Sequence, residues 1–270
     1  MTENITVAVR IRPLNQSELN NRNECIWSLN RNTISVSPNY LKELMDEGKM
    51  NNLFSTRFSF RKFFIKYIEY CIDSVTSNFS IFDNLVKPIV SSFFEGINDT
   101  VITYGPTGSG KTYTMLGNEE TRKKLREVSI DSLSKFPDKT PANHEPGILL
   151  YALKHIFKSL ETESDKRSTL KVSYIEIYND SIYDLLQEKT GMLNALTVNE
   201  SELGKFTLKG VIEQQVESIS QVLNVIKKGE RNRHYAESVM NHNSSRSHTI
   251  FQVKLRRVAK DITVTSEIVS

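Results

Sequence analysis

The run Gly105-Pro106-Thr107-Gly108-Ser109-Gly110-Lys111-Thr112 limits what this chain can fold into more than any other stretch of it. It satisfies G-x-x-x-x-G-K-[ST] at every fixed position. Glycine lets the backbone curl so that successive N–H groups point inward at phosphate oxygens. A helix starting near Lys111 adds the positive end of its dipole. Lys111 supplies a mobile ammonium for the β- and γ-phosphates, and the Thr112 hydroxyl is placed to ligate Mg²⁺. At average residue frequencies a chain of 270 residues matches this pattern by chance on the order of 1% of the time. Here the β-branched run Thr100-Val101-Ile102-Thr103-Tyr104 leads directly into it. The expectation is strand, phosphate loop and helix in series, binding a nucleoside triphosphate with Mg²⁺.

The rest of the chain reads as strands separated by helices, which predicts an α/β three-layer domain. Ile5 to Ile11 is a compact β-branched run stopped by Arg12-Pro13, and Thr33 to Ser37 is a second, shorter strand. Residues 40–56 are polar and poorly patterned, and from Phe58 to Ile72 the period does not separate helix from strand. Ser77 caps a helix whose apolar face runs through Phe79, Phe82, Leu85, Val86, Ile89, Val90 and Phe93. Pro88 predicts a kink or break within it. Residues 117–146 form a charged excursion with three prolines and room for a short helix. Helical spacing returns over 148–160 and 219–229. Strands are expected over 170–178, 248–258 and 264–269, with a hairpin about Gly204 and a helix or turn beginning at Ile182.

A phosphate loop alone does not choose among kinases, GTPases, helicases and motors. A second run, Asn241-His242-Asn243-Ser244-Ser245-Arg246-Ser247-His248, packs hydroxyls, a guanidinium and an imidazole just before a strand. Such a loop can bring hydroxyls to Mg²⁺ and the γ-phosphate, ordered by the phosphate itself. Together with Tyr113-Thr114-Met115, these two runs resemble the P-loop (105–112) and switch I (241–248) of a kinesin motor domain. Arg10-Ile11-Arg12-Pro13 is similar to that family's adenine-contacting segment. Gly96-Ile97-Asn98-Asp99-Thr100, Gly147-Ile148, the run from Ser173 to Asp180 and Glu230-Arg231-Asn232-Arg233-His234 follow in the family's order.

The resemblance implies a P-loop NTPase-type fold, with a mixed central sheet flanked by helices, over residues 1–270 as part of one motor domain. It implies ATP and Mg²⁺ as ligands and microtubules as partner, in the cytoplasm on the cytoskeleton. Gly105, Pro106, Thr107, Gly108, Ser109, Gly110, Lys111 and Thr112 would hold the phosphates. Arg10, Arg12 and Pro13 would border the adenine, with Tyr113 on its other side. Thr112 and Ser245 would bind Mg²⁺, directly or through water. Ser244 would hold or relay a proton from the attacking water, Asn241 would order the γ-phosphate side, and Arg246 would pair with a glutamate of switch II. The reaction implied is in-line attack of water on ATP, in which positioning and charge stabilisation dominate.

The sequence departs from the family in several places. Kinesins complete their site with an Asp-Leu-Ala-Gly-Ser-Glu run, and these 270 residues contain none. The expectation is therefore an N-terminal, ATP-binding part of a motor domain, an ATPase only when a switch II segment completes it. Asp180, the nearest substitute acid, follows a strand that alternates through Ser173 and Glu176 instead of running apolar as buried parallel strands do; it reads as structural. Pro106 replaces the family's usual Gln, and Arg61 replaces the acid of its Phe-x-Phe-Asp segment. The Gly204 hairpin mixes Glu200 and Glu202 with Lys205 and Lys209, a pattern of a solvated surface.

Composition narrows the remaining classes. The net charge is only +3, which gives no overall basic field for nucleic acid. Cys25 and Cys71 have neither metal-ligand spacing nor a disulfide framework. No apolar run approaches the roughly 20 residues that span a bilayer, so no membrane partner is expected. No heptad array is present, and oligomerisation would need a stalk outside these residues. Tyr174 and Tyr178 read as packing residues, and His234 and His248 as structural histidines.

Overall fold

A computed structural model of the chain describes residues 5–30, 33–46, 57–59, 68–127, 145–162, 166–188, 195–200, 204, 206–239, 247–259 and 262–269. The chain divides into two compact units, Met1–Thr76 and Ser77–Ser270.

In the first unit, β1 (Val7–Arg10) pairs in parallel with β5 (Ile68–Ile72), Arg10 opposite Ile72. A second, antiparallel sheet is built from β2 (Trp27–Asn30), β3 (Thr33–Val36) and β4 (Arg57–Ser59) in that order. Ile34 and Val36 on β3 are buried, two residues apart, as the strand period requires. Two helices were not expected from the pattern. α1 (Gln16–Asn20) is nucleated by a reciprocal capping box: the Asn15 side chain accepts from Glu18 N, and Glu18 accepts from Asn15 N. α2 (Pro38–Asp46) starts on a proline, whose missing N–H costs nothing in the first turn.

The second unit is centred on a seven-stranded sheet ordered β12-β11-β6-β7-β8-β9, with β10 also on β6. Its members are β6 (Lys166–Tyr178), β7 (Ser181–Asp184), β8 (Ala195–Glu200), β9 (Phe206–Lys209), β10 (Gln214–Val216), β11 (Ser247–Ala259) and β12 (Ile262–Val269). Each of its pairings is antiparallel. β6 and β11 run together for their whole length, from Ser247 opposite Tyr178 to Ala259 opposite Lys166. Asn179 and Asp180, at φ 47° and 59°, make the two-residue turn from β6 to β7. Asp180 is thus a turn residue, and Ile182 continues a strand instead of opening a helix.

The helix capped by Ser77 is divided as α3 (Asn78–Ile81), a π-helical turn (Phe82–Val86) and α4 (Lys87–Phe93). The expected break at Pro88 is this π turn. Pro88 then lies in the first turn of α4, where its absent N–H is not needed. α5 (Lys111–Leu116) and α6 (Glu119–Glu127) follow, then α7 (Ile148–Thr162) and α8 (Ile219–Val239). Tyr151 of α7 packs against Phe79 and Phe82, with ring centroids 5.4 and 5.8 Å away. Leu223 and Ile226 of α8 are fully buried, as are Leu185 and Leu255 of the sheet side. α8 approaches β6 so closely that a Cβ on Gly229 would lie 2.2 Å from the Tyr174 ring.

One expected strand is not formed. Residues 100–104 belong to no ladder, and Ile102 is 77% and Tyr104 98% exposed. Exposure alternates along the segment as on a strand, but a strand exists only with a partner for its backbone groups. Among the described residues none is supplied.

Candidate nucleotide site

The phosphate loop curls because its glycines take backbone conformations that other residues rarely adopt. Gly108 has φ 79°, and Gly110, the residue before α5, has φ 94°. The Pro106 carbonyl accepts the Ser109 N–H at 3.2 Å. Gly110 O accepts both Thr114 N at 2.9 Å and Thr114 Oγ1 at 3.1 Å, which fastens the first turn of α5. Lys111 folds back over the loop: its Nζ donates to Gly105 O at 2.8 Å and to Pro106 O at 2.9 Å. The ammonium is therefore held against the loop backbone itself. Pro106, Thr107 and Gly108 are exposed, while Ser109 through Tyr113 are half-buried. Loop curl, ammonium and the Thr112 hydroxyl suit a polyphosphate. Among the described residues, no group of at least 3 His, Cys, Asp or Glu gathers to hold a metal by itself. A Mg²⁺ here would rest on a hydroxyl and on the phosphates.

Behind the loop lies a polar cluster that sequence reasoning missed. Glu145, buried at 5% exposure, accepts the Asn78 N–H on Oε1 at 2.5 Å and the Tyr113 hydroxyl on Oε2. Its own carbonyl accepts Asn118 N at 3.1 Å and Thr121 Oγ1 at 3.2 Å. The Asn78 side chain, fully buried, donates to Tyr113 O at 3.1 Å and to Pro146 O at 3.0 Å. Gly117 bridges to Pro146, and a Cβ on Gly147 would stand 2.1 Å from Met115 O. α5 is thus gripped along its back by the segment 145–147 and the start of α3. Nothing in the sequence marked Glu145 apart from the other charges of the 117–146 excursion.

Arg10, Arg12 and Pro13 belong to the first unit. Arg10 Nη2 donates to Thr76 O at 3.0 Å. The Arg12 guanidinium forms a fork on Glu18, at 2.7 and 2.5 Å, and also donates to Pro13 O at 2.8 Å. Hydrogen bonding from Arg12, with the Asn15 N–H second, holds the Glu18 carboxyl down at about 2. The same pairing raises the Arg12 guanidinium.

Asn241, Ser244, Ser245 and Arg246 lie outside the described residues. The elements that lead to and from them are described. Ser247 and His248 open β11 opposite Tyr178 and Ile177. α8, which leads toward 241, is fixed to β6 by buried polar groups. Tyr174 donates to Glu230 Oε1 at 2.5 Å, and Arg233 lies 3.9 Å from Glu230 and 3.6 Å from Glu176. Burial, then the Glu230 charge, pushes the Tyr174 phenol well above its ordinary value. Asn232 Nδ2 donates to Leu185 O at 2.7 Å and to Gln187 O at 3.2 Å. Tyr174 is the packing residue expected, with a hydrogen-bonding duty added.

Comparison with known proteins places the chain. A family model described as the kinesin motor domain matches residues 10–269. Kinesin-related protein 4 of Dictyostelium discoideum is 34% identical over 257 residues, 95% of this chain and 11% of that protein. Kinesin-like protein KIF27 of Mus musculus is 32% identical over 95% of this chain and 16% of its own length. For kinesin-like protein KIN-7N of Arabidopsis thaliana the figures are 32%, 96% and 26%. This chain therefore spans only a small part of the curated relatives it matches. The solved structure of a fast kinesin superposes with a TM-score of 0.74 at 28% identity, covering 98% of this chain and 63% of that one. By these matches, and by the α/β fold of P-loop NTPase type they share, the chain belongs to the kinesin motor-domain family.

Proposed function

We propose that the chain is the ATP- and Mg²⁺-binding part of a kinesin-like motor that couples ATP hydrolysis to movement along microtubules. The observation that carries the reading is the Lys111 ammonium, held over the loop on Gly105 O and Pro106 O. Phosphate oxygens presented there would exchange for those carbonyls, and backbone N–H groups of the loop, Pro106 excepted, would complete the cradle. ATP supplies the γ-phosphoryl group and Mg²⁺ the charge that draws its oxygens together. Thr112 and Ser245 would hold the metal, and Arg10, Arg12, Pro13 and Tyr113 the base. Ser244 would hold or relay a proton from the attacking water, and Asn241 would help order the γ-phosphate side. Arg246 would pair with a glutamate of a switch II segment, so that turnover depends on that segment while binding does not. Residues 1–270 together would form this part of one motor domain, working on the cytoskeleton, with oligomerisation left to a stalk.

Calorimetric titration with a non-hydrolysable ATP analogue and Mg²⁺ tests the reading. Saturable binding by the unsubstituted chain, lost in Lys111→Ala, is expected, and no measurable binding refutes it. Phosphate release with and without added microtubules then tests hydrolysis separately, and co-sedimentation tests the partner.

A further inference from the structure

Glu145 ties α5, the helix that follows the phosphate loop, to its surroundings, and no motif points to it. Its two carboxyl oxygens are divided between two segments: Oε1 takes the backbone N–H of Asn78, and Oε2 takes the hydroxyl of Tyr113. Tyr113 directly follows Thr112 and is half-buried, so part of its surface remains open to a ligand. A phenol tied at its oxygen is held against swinging about the Cα–Cβ bond. Asn78 closes the arrangement by donating to Tyr113 O and Pro146 O, at 3.1 and 3.0 Å, so main chain and side chain of Tyr113 are both fixed. Preorganisation of this kind raises affinity by removing the cost of ordering a rotor on binding.

We infer that Glu145 is a positioning residue for the base of the nucleotide, acting through Tyr113 and not through the phosphates. This rests on the nucleotide reading above. The phosphate contacts come from residues 105–112, whose own hydrogen bonds do not include Glu145. Loosening Tyr113 should therefore weaken a ligand that carries a base and leave a bare polyphosphate alone.

The experiment compares ATP with inorganic tripolyphosphate, each with Mg²⁺, by calorimetric titration of the full chain. Glu145→Ala is expected to lower ATP affinity about tenfold while tripolyphosphate affinity stays within twofold. Tyr113→Phe, which keeps the ring and its packing, is expected to give the same selective loss, and the double substitution no further loss. Glu145→Gln retains an oxygen for Asn78 N and an amide that the phenol can accept from, and should recover most of the affinity. Equal losses for both ligands, or no loss in Tyr113→Phe, overturn the inference. If Glu145→Ala fails to fold, Tyr113→Phe decides the matter alone by the same comparison. Failure of the unsubstituted chain to bind ATP overturns the nucleotide reading and the inference with it; binding followed by unselective losses overturns only the inference.

Discussion

Replacing Gly147 by alanine isolates a purely steric demand at the back of the phosphate loop. The added Cβ would lie 2.1 Å from Met115 O, 2.3 Å from Met115 C and 2.4 Å from Leu116 N. Ordinary carbon contacts begin near 3.4 Å, so something must move by about an ångström, and the colliding atoms are helix backbone and cannot rotate away. Movement of 145–147 in the other direction is resisted by the Gly117–Pro146 bridge and by Asn78 on Pro146 O. Overpacking typically costs about 1–3 kcal/mol, and a backbone collision belongs at the upper end. At about 2–4 °C per kcal/mol for a unit of this size, the melting temperature should fall by roughly 6–12 °C. Gly204→Ala is the comparison: its Cβ meets nothing within 4 Å, but φ +70° remains, a conformational cost of about 1–2 kcal/mol. Circular dichroism melts of the three proteins measure the difference. If Gly147→Ala melts no lower than Gly204→Ala, the close packing of α5 on 145–147 is refuted.

Three further outcomes follow from other parts of the molecule. The Glu18 carboxyl should titrate at about 2 by NMR and move up toward its ordinary value in Arg12→Ala. Because its folded value is lowered, its contribution to stability is complete above the unfolded value near 4.5 and disappears as pH falls through about 2; a first unit whose stability does not change across that window contradicts the pairing. Tyr174→Phe leaves buried Glu230 short of one donor, which should cost about 1–3 kcal/mol and lower the melting temperature, and an unchanged melt sinks that assignment. Ile102→Lys with Tyr104→Lys removes the apolar side of a segment that joins no ladder among the described residues. By sedimentation velocity the substituted chain should self-associate less than the original, since exposed large apolar side chains offer a contact between copies; equal association would show that these side chains are not the contact.

What was legible in the sequence was what a local pattern can encode. The 105–112 loop is written in glycines and a lysine that need no distant partner to curl, and α7 and α8 are written in a helical period. The capping box of α1 was equally local, with Asn15 three residues before Glu18, and went unread amid a polar stretch. Residues 100–104 show the limit. Their β-branched composition states a preference, but a strand is a relation between segments, and composition does not say whether a partner is present. The same holds for Glu145, whose importance lies in Asn78 and Tyr113, 67 and 32 residues away in the chain. Ser173 and Glu176 broke the apolar run that a buried parallel strand would show, and β6 does pair antiparallel with β11, although both residues end up buried.

The position of Lys111 has a consequence for every affinity measured on this loop. Its ammonium is already satisfied by two carbonyl oxygens, so the loop acts as a built-in competitor for its own cation. A measured binding constant therefore reports an exchange of partners, not the gross attraction between ammonium and phosphate. Lys111→Ala removes both sides of that exchange, releasing Gly105 and Pro106 as well as the ligand. Comparing the loop's hydrogen-exchange protection in that variant with its loss of binding separates a cation lost to the phosphates from a loop that has lost its internal tether.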